Sequence, residues 1–349
     1  MKVVLTGHHG YIGSITAEEL RAAGHDVVGL DTYFYLGCDF WPGDTEPSPD
    51  KVDVRSVGPE AFDGADAVVH LAALSNDPLG ALSPELTLEI NYRASEGIAR
   101  AAREAGVPRF VFASSCSMYG AAADGKPRTE ESELAPLTAY AESKVRSEAA
   151  LRTLATDSFS PVFMRNATAY GVSPRLRLDI VLNNLAAWAH TTGKIKIMSD
   201  GTPWRPIVHI RDISRATIAL LEAPREVVHN ESFNIGHDAD TYQVRELAEI
   251  VREAADGCEV EIAGAGDPDP RSYRVDFSKF ARTFPEFEYE WDARRGAQEL
   301  LDAFREVGLT LADFEGHRFI RLNQLNRLRA DGSLDERLHW RDPSSGATS

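Results

Sequence analysis

Residues 3–20 read VVLTGHHGYIGSITAEEL. A run of Val3, Val4, Leu5 and Thr6 passes through glycines at 7, 10 and 13 into Ile12, Ile15, Thr16, Glu19 and Leu20 at helical spacing. An unbroken β-branched and apolar run reads as a buried strand. Glycine accepts positive φ and lets another backbone or a ligand come close. The free N–H groups and partial positive charge of a helix N-terminus suit a phosphate. The turn with Gly7, Gly10, Tyr11, Ile12 and Gly13 is therefore a candidate pyrophosphate cradle. Its spacing is G-x-x-G-x-x-G rather than G-x-G-x-x-G, and alone it equally describes a tight strand–helix turn with no ligand. His8 and His9, inside the turn, read as solvent-facing filler rather than metal ligands.

The following residues decide between these readings. The stretch HDVVGLDTY (25–33) is a second strand carrying Asp31, 18 positions after Gly13. An acid about 20 residues beyond the glycines accepts the ribose hydroxyls of NAD and repels a 2′-phosphate. DAVVHLAAL (66–74) is a buried strand opening into a small-residue turn at Ala72 and Ala73, and RFVFASSCSMYG (109–120) is a strand with a hydroxyl-rich end. Helical stretches such as 84–105 alternate with these strands. The rhythm predicts an α/β chain: a Rossmann-type doubly wound parallel sheet over 1–170, with ligands at the carboxyl ends of its strands. A smaller C-terminal α/β substrate-binding domain is expected over 171–330, with some chain crossing back to the sheet. There, IVLNNLAAWAH and RELAEIVREAA are helical, KIKIM and EVEIA are short strands, and FIRLNQLNRLR reads as a helix packed on the surface. An exposed loop is expected at 44–50 and a disordered tail at 341–349.

A formal charge of −17 over 349 residues argues against nucleic acid or an anionic membrane as partner. No apolar run is long enough to span a bilayer, and the first strand begins at the second residue, so no signal peptide is expected. Cys38, Cys116 and Cys258 lack metal-ligand spacing and fit a reduced cytoplasm. Arg165, Arg175, Arg177, Arg205, Arg211, Arg271 and Arg274 read as loop or strand-end arginines of the second half. In so acidic a chain they suggest an anionic small molecule, because guanidinium forks match phosphate geometry. Taken singly, most would serve equally as solvated surface charge.

The chemistry centres on TAYAESKVRSEAAL (138–151). Tyr140 and Lys144, four apart, share one helix face. An ammonium beside a phenol favours the phenolate, drawing a pKa of ~10 toward working pH. Such a tyrosine takes a proton from an alcohol while a hydride leaves its carbon. The pair alone would fit an ordinary amphipathic helix; the dinucleotide signature upstream decides for chemistry.

Taken together, TGHHGYIG with Asp31, HLAA, SSCSMYG, YAESK, GTPWRPIVHIRD and FNIG resemble the extended short-chain dehydrogenase/reductases, in their NAD-dependent nucleotide-sugar epimerase/dehydratase group. The resemblance covers roughly residues 1–300 in element order. It implies Ser115 as the hydroxyl that holds the reacting sugar oxygen, with Tyr140 and Lys144, which also contact the cofactor, Lys144 at the nicotinamide ribose. It implies cofactor contacts from Asp53 and Val54 beside adenine, from Leu71, Ala72 and Ala73 near the phosphates and ribose, and from Asn91, which orders the active-site loop. It implies substrate contacts from Ser75, Ser117, Asn166, Asn184, Arg205 and Arg271; for the two asparagines, loop capping is an equal reading. Trp204 and His209 read as packing. Dehydratases of the group carry an Asp-Glu pair after the catalytic hydroxyl, and the 3,5-epimerases a cysteine immediately before the apolar-Tyr pair. Here that last position is Ser117. Cys116 stands one residue early, facing the other way, and reads as buried structure. The implied function is a nucleotide-sugar 4-epimerase acting through a 4-keto intermediate with NAD, without metal, as a cytoplasmic homodimer. The alternatives are a ketoreductase or dehydrogenase, a 4,6-dehydratase-like enzyme, or a non-catalytic dinucleotide sensor.

Overall fold

A computed structural model describes residues 1–41, 50–75, 83–121, 125–262 and 271–341. The expected loop at 44–50, all but its last residue, and the expected tail at 341–349, all but its first, lie outside these. Six strands, β1 (Lys2–Thr6), β2 (Asp26–Leu30), β3 (Ala67–His70), β4 (Arg109–Ser115), β5 (Ser160–Asn166) and β9 (Ser232–Ile235), form one sheet in the order β2-β1-β3-β4-β5-β9. Every pairing in it is parallel. All residues of β3 and β5 are buried, as expected where helices cover both faces of a parallel sheet. On one face the helices Tyr11–Ala22 and Ile210–Glu222 are joined by a buried Thr16–Ser214 hydroxyl contact of 2.9 Å. On the other, Ile98, Ala99, Ala102 and Leu151 pack on Phe110, Phe112 and Phe163.

Because β9 comes from residue 232 onward, the second half of the chain completes the large sheet. Residues from 168 onward also build a three-stranded sheet of β10 (Thr241–Gln243), β8 (Trp204–His209) and β6 (Thr168–Tyr170), and a two-stranded sheet of β11 (Glu259–Ile262) and β7 (Lys194–Ile197). Among the described residues, no helix is long and apolar enough to cross a membrane.

Two expectations are corrected. The helical stretch 84–105 is interrupted by a π-turn at Glu89–Arg93, of the kind that often carries a functional side chain. The helix Arg321–Ala330 does bury Leu325 and Leu328, but it buries Arg321 and Gln324 as well, so it is more than a surface-packed element.

Candidate active site

The carboxyl ends of β1 to β5 open on one cavity of about 590 Å³, within the range of small-molecule sites. Gly7, Gly10, Tyr11, Ile12 and Gly13 form one wall. Gly7 has φ +73°, and a Cβ there would lie 2.9 Å from the Ala72 nitrogen. A Cβ at Gly13 would lie 2.0 Å from the Gly7 carbonyl oxygen. The turn thus lets the helix Tyr11–Ala22 start hard against the strand end, and no side chain caps that helix. A diphosphate fits such a cradle: open backbone donors, a favourable dipole and no side chain in the way.

Asp31 lines the same wall. Its carboxylate accepts from the His9 nitrogen at 3.0 Å and the Tyr33 nitrogen at 2.7 Å. Burial raises its pKa, and these backbone donors oppose the rise. An acceptor held there pairs with ribose hydroxyls and repels a 2′-phosphate. Wild-type protein is expected to prefer NAD over NADP by at least about tenfold, and Asp31→Ala to narrow that preference. Equal affinities of the wild type for the two cofactors, measured by calorimetric titration, would refute this role.

Asp53, Val54, Leu71, Ala72, Ala73 and Ser75 also line the cavity. Asn91 is not among these lining residues. From the π-turn its amide accepts from the Leu74 nitrogen at 2.8 Å and donates to the Leu74 oxygen at 3.0 Å. It therefore holds the strand-end segment rather than the ligand. His8 and His9 are not solvent-facing filler. His9 is buried, hydrogen-bonded to Arg175 and packed on Tyr33; burial, aided by Arg175, lowers its pKa to about 3. His8 bonds the Tyr33 hydroxyl at 3.0 Å. Among the described residues, no group of three or more His, Cys, Asp or Glu could hold a metal ion.

The reacting end lies where β4 meets the helix Ala139–Arg152, whose N-cap Thr138 accepts from the Ala141 nitrogen. Ser115, Ser117, Tyr140 and Lys144 all face the cavity. The Ser115 hydroxyl donates to Ser117 Oγ at 2.9 Å and accepts from the Ser117 nitrogen at 3.2 Å. Lys144 Nζ donates to the Ala113 carbonyl at 2.7 Å and lies 5.8 Å from the Tyr140 ring centre. Burial pulls the Lys144 pKa down to about 8, opposed by Glu148. Cys116 is fully buried, its thiol donating to the Arg165 carbonyl at 3.0 Å, and burial pushes its pKa well above the ordinary thiol value. It is a poor base in this setting.

The low Lys144 pKa has a stability consequence. Below about pH 8 folded and unfolded chains both carry the proton, and the buried ammonium is penalised in full. Between about pH 8 and the unfolded value of ~10.4 only the unfolded chain holds it, so the penalty fades as pH rises. Lys144→Met is therefore expected to gain more stability over wild type at pH 7 than at pH 9.5, by denaturant unfolding at the two pH values. A gain that grows with pH would contradict this.

Asn166, Asn184, Arg205 and Arg271 line the far side. Asn166 Oδ1 is buried without a hydrogen-bond partner. Asn184 also ties the loop before its helix, donating to the Leu178 carbonyl at 2.8 Å. Arg205 donates to the Arg271 carbonyl.

Of the seven loop or strand-end arginines, Arg177, Arg205 and Arg271 line the cavity and the other four do not. Arg165 lies within β5 and pairs with Glu148 at 2.8 Å; Arg175 pairs with Asp39; Arg211 sits on a helix with Glu18 and Glu19; Arg274 stacks over Trp204. Trp204 and His209 stay out of the cavity, His209 stacked on Trp291 with ring centres 4.0 Å apart. Cavity residues absent from the sequence reading include Tyr35, Asp179, Tyr273 and Arg321, none of which carries a local motif.

The model of the NAD dependent epimerase/dehydratase family matches residues 3–236. A UDP-glucose 4-epimerase of Corynebacterium glutamicum is 29% identical over 286 residues, 77% of this chain and 85% of that one. MoeE5, solved in complex with UDP-glucuronic acid and NAD, superposes with a TM-score of 0.74 at 27% identity, covering 88% of this chain and 99% of its own. DesIV, a dTDP-glucose 4,6-dehydratase from Streptomyces venezuelae solved with NAD and TYD bound, gives a TM-score of 0.74 at 26% identity, covering 88% and 97%.

Proposed function

The chain belongs to the NAD dependent epimerase/dehydratase family, and on that premise we propose that it is a nucleotide-sugar 4-epimerase working through a transient 4-keto intermediate. The observation that carries this reading is the make-up of the reacting end. Two hydroxyls, a tyrosine and a lysine meet there. The carboxylates among the described lining residues are Asp31, Asp53 and Asp179, none of them on β4 or on the helix bearing Tyr140. Positions 116 and 117 hold no carboxylate, so the likeness to a dehydratase is not matched by a carbon acid's base.

In this scheme Tyr140 Oη takes the proton of the sugar 4-hydroxyl, and Ser115 Oγ holds the same oxygen. The Lys144 ammonium favours the phenolate form of Tyr140. Bound NAD supplies a reversible hydride acceptor. The ketone then turns over while Asn166, Asn184, Arg205 and Arg271 keep the nucleotide diphosphate in place. Tyr140 returns the proton once the hydride has come back to the opposite face. The similarity to the Corynebacterium glutamicum UDP-glucose 4-epimerase supports a nucleoside-diphosphate hexose as substrate. A cytoplasmic homodimer remains part of the reading, its subunit number open to light scattering.

The migrating hydrogen never meets solvent in 4-epimerisation. Turnover of UDP-glucose in heavy water is expected to give product with no carbon-bound deuterium and no net change in NADH absorbance. Deuterium at carbon 3 or 5 would overturn the proposal in favour of carbon-acid chemistry. One NADH consumed per product would do so in favour of a reductase.

A further inference from the structure

Two buried guanidinium groups on the cavity wall have no part in this chemistry. Arg321, the first residue of the helix Arg321–Ala330, is 2% exposed and lies beyond the 3–236 stretch that the family model covers. Its guanidinium carbon stands over the Tyr35 ring, 3.9 Å from the ring centre, and Nη2 donates to the Arg175 carbonyl at 2.6 Å. Nη1 is buried and has no partner. Arg177 is similar: Nε donates to Asp179 and Nη1 to Ser75 Oγ, while Nη2 is buried without a partner. The nearby carboxylates are already engaged, Asp39 by Arg175, Asp179 by Arg177, and Asp31 by backbone nitrogens. A buried cation with an unused donor is costly unless an anion completes it.

Position says which anion. Tyr35 and Ser75 belong to the segments that leave β2 and β3, on either side of the strand that runs into the glycine turn. Arg205 and Arg271 meet each other on the opposite side. The two unpartnered donors are buried atoms of residues that line the glycine-turn side of the cavity. Guanidinium forks bind phosphate oxygens in pairs.

Arg321 is also held by a larger structure. Residues 318–341 lie along the loops that follow β2. Arg318 donates to the Asp39 carbonyl at 2.7 Å, Gln324 to the Phe34 carbonyl at 3.1 Å, and Trp340 to the Thr32 carbonyl at 2.7 Å. Arg55 donates to the Arg337 carbonyl at 2.7 Å, and Leu325, Leu328, Leu334 and Leu338 pack with Phe34 and Val54.

We propose that Arg321, with Arg177, clasps the diphosphate of NAD, and that the segment 318–341 is a strap fastening the cofactor into the cavity. The clasp rests on NAD dependence, and its primary readout, NAD release, needs no turnover; only the control that separates cofactor from substrate diphosphate uses the UDP-glucose of the proposed function.

The test compares full-length wild type with Arg321→Met and Arg321→Lys. Bound NAD is quantified after denaturation, and NAD dissociation is followed by rapid gel filtration. KM for UDP-glucose is then measured at saturating NAD. Circular dichroism spectra and melting curves verify folding. Arg321→Met is expected to release NAD at least about tenfold faster, with the UDP-glucose KM changed less than about twofold. Arg321→Lys, which keeps the charge but loses the fork, is expected to fall between. NAD release at the wild-type rate from a folded Arg321→Met would overturn the proposal. So would a raised KM for UDP-glucose with unaltered NAD release, which would assign the arginine to the substrate diphosphate. If Arg321→Met does not fold, Arg321→Lys decides on the same rates.

Discussion

Tyr140→Phe is expected to fold, to keep its NAD and to lose about 10²-fold or more in turnover, the usual cost of removing a general base. The substitution deletes one oxygen from a half-buried ring in the first turn of the helix Ala139–Arg152. The N-cap bond from Thr138 and the buried face of Ser143, Lys144 and Ser147 are untouched. Lys144 keeps its bond to the Ala113 carbonyl. Stability should therefore stay within ~0.5 kcal/mol of wild type. Steady-state rates beside NAD content by denaturation and absorbance separate the two effects. Activity within a few-fold of wild type would move the proton transfer to another group. Loss of NAD in step with activity would make Tyr140 a cofactor residue first.

Gly13→Ala is the second large effect, and it acts through packing. Alanine is the better helix former by about 1 kcal/mol, so on an exposed helix the change would stabilise. Here the new Cβ would stand 2.0 Å from the Gly7 oxygen and 2.9 Å from the His8 Cα. Both are backbone atoms, which have no rotamer to retreat into. Overpacking of this kind costs about 1–3 kcal/mol and outweighs the propensity gain. Relief must come from moving the turn away from the helix start, which spoils the diphosphate cradle. The variant is expected to melt several degrees below wild type and to purify with little or no NAD. A wild-type melting temperature together with full NAD content would show that the turn tolerates a Cβ.

Much of this site was legible because its signals are local. The strand–glycine–helix turn, Asp31 after the second strand and the Tyr140–Lys144 spacing each depend on residues close in sequence, and Gly7, Gly10, Gly13, Asp31, Tyr140 and Lys144 all reach the cavity. The arginines show where legibility ends. Arg165, Arg175, Arg177 and Arg321 are the same residue type, yet their roles are set by partners far along the chain: Glu148, Asp39, Ser75 and Tyr35. His9 looked solvent-facing because nothing nearby in sequence announces Arg175, 166 residues away. Asn91 is reached through the resemblance alone, because apolar spacing does not reveal the π-turn from which its amide meets Leu74. In the helix Arg321–Ala330 the apolar spacing points to Leu325 and Leu328, and both are buried. The burial of Arg321 and Gln324 was hidden, since each is matched by a main-chain carbonyl, and carbonyls carry no residue identity.

The strap also sets an order of events during synthesis. Trp340 and Thr32 are 308 residues apart, and Arg55 and Leu338 are 283 apart. Contacts of such long range are made late, because the intervening chain must first be ordered. A growing polypeptide can complete β1 to β5, and with them the glycine turn, while residues 318–341 are still untranslated. Until those residues emerge, the loops after β2 lack their cover and Leu325, Leu328, Leu334 and Leu338 have no place in the core. If the segment 318–341 fastens the cofactor as proposed, a nascent chain at that stage carries a formed glycine turn with one flank open, and a ribosome stalled before residue 318 is expected to hold a protein that releases NAD faster than the full chain.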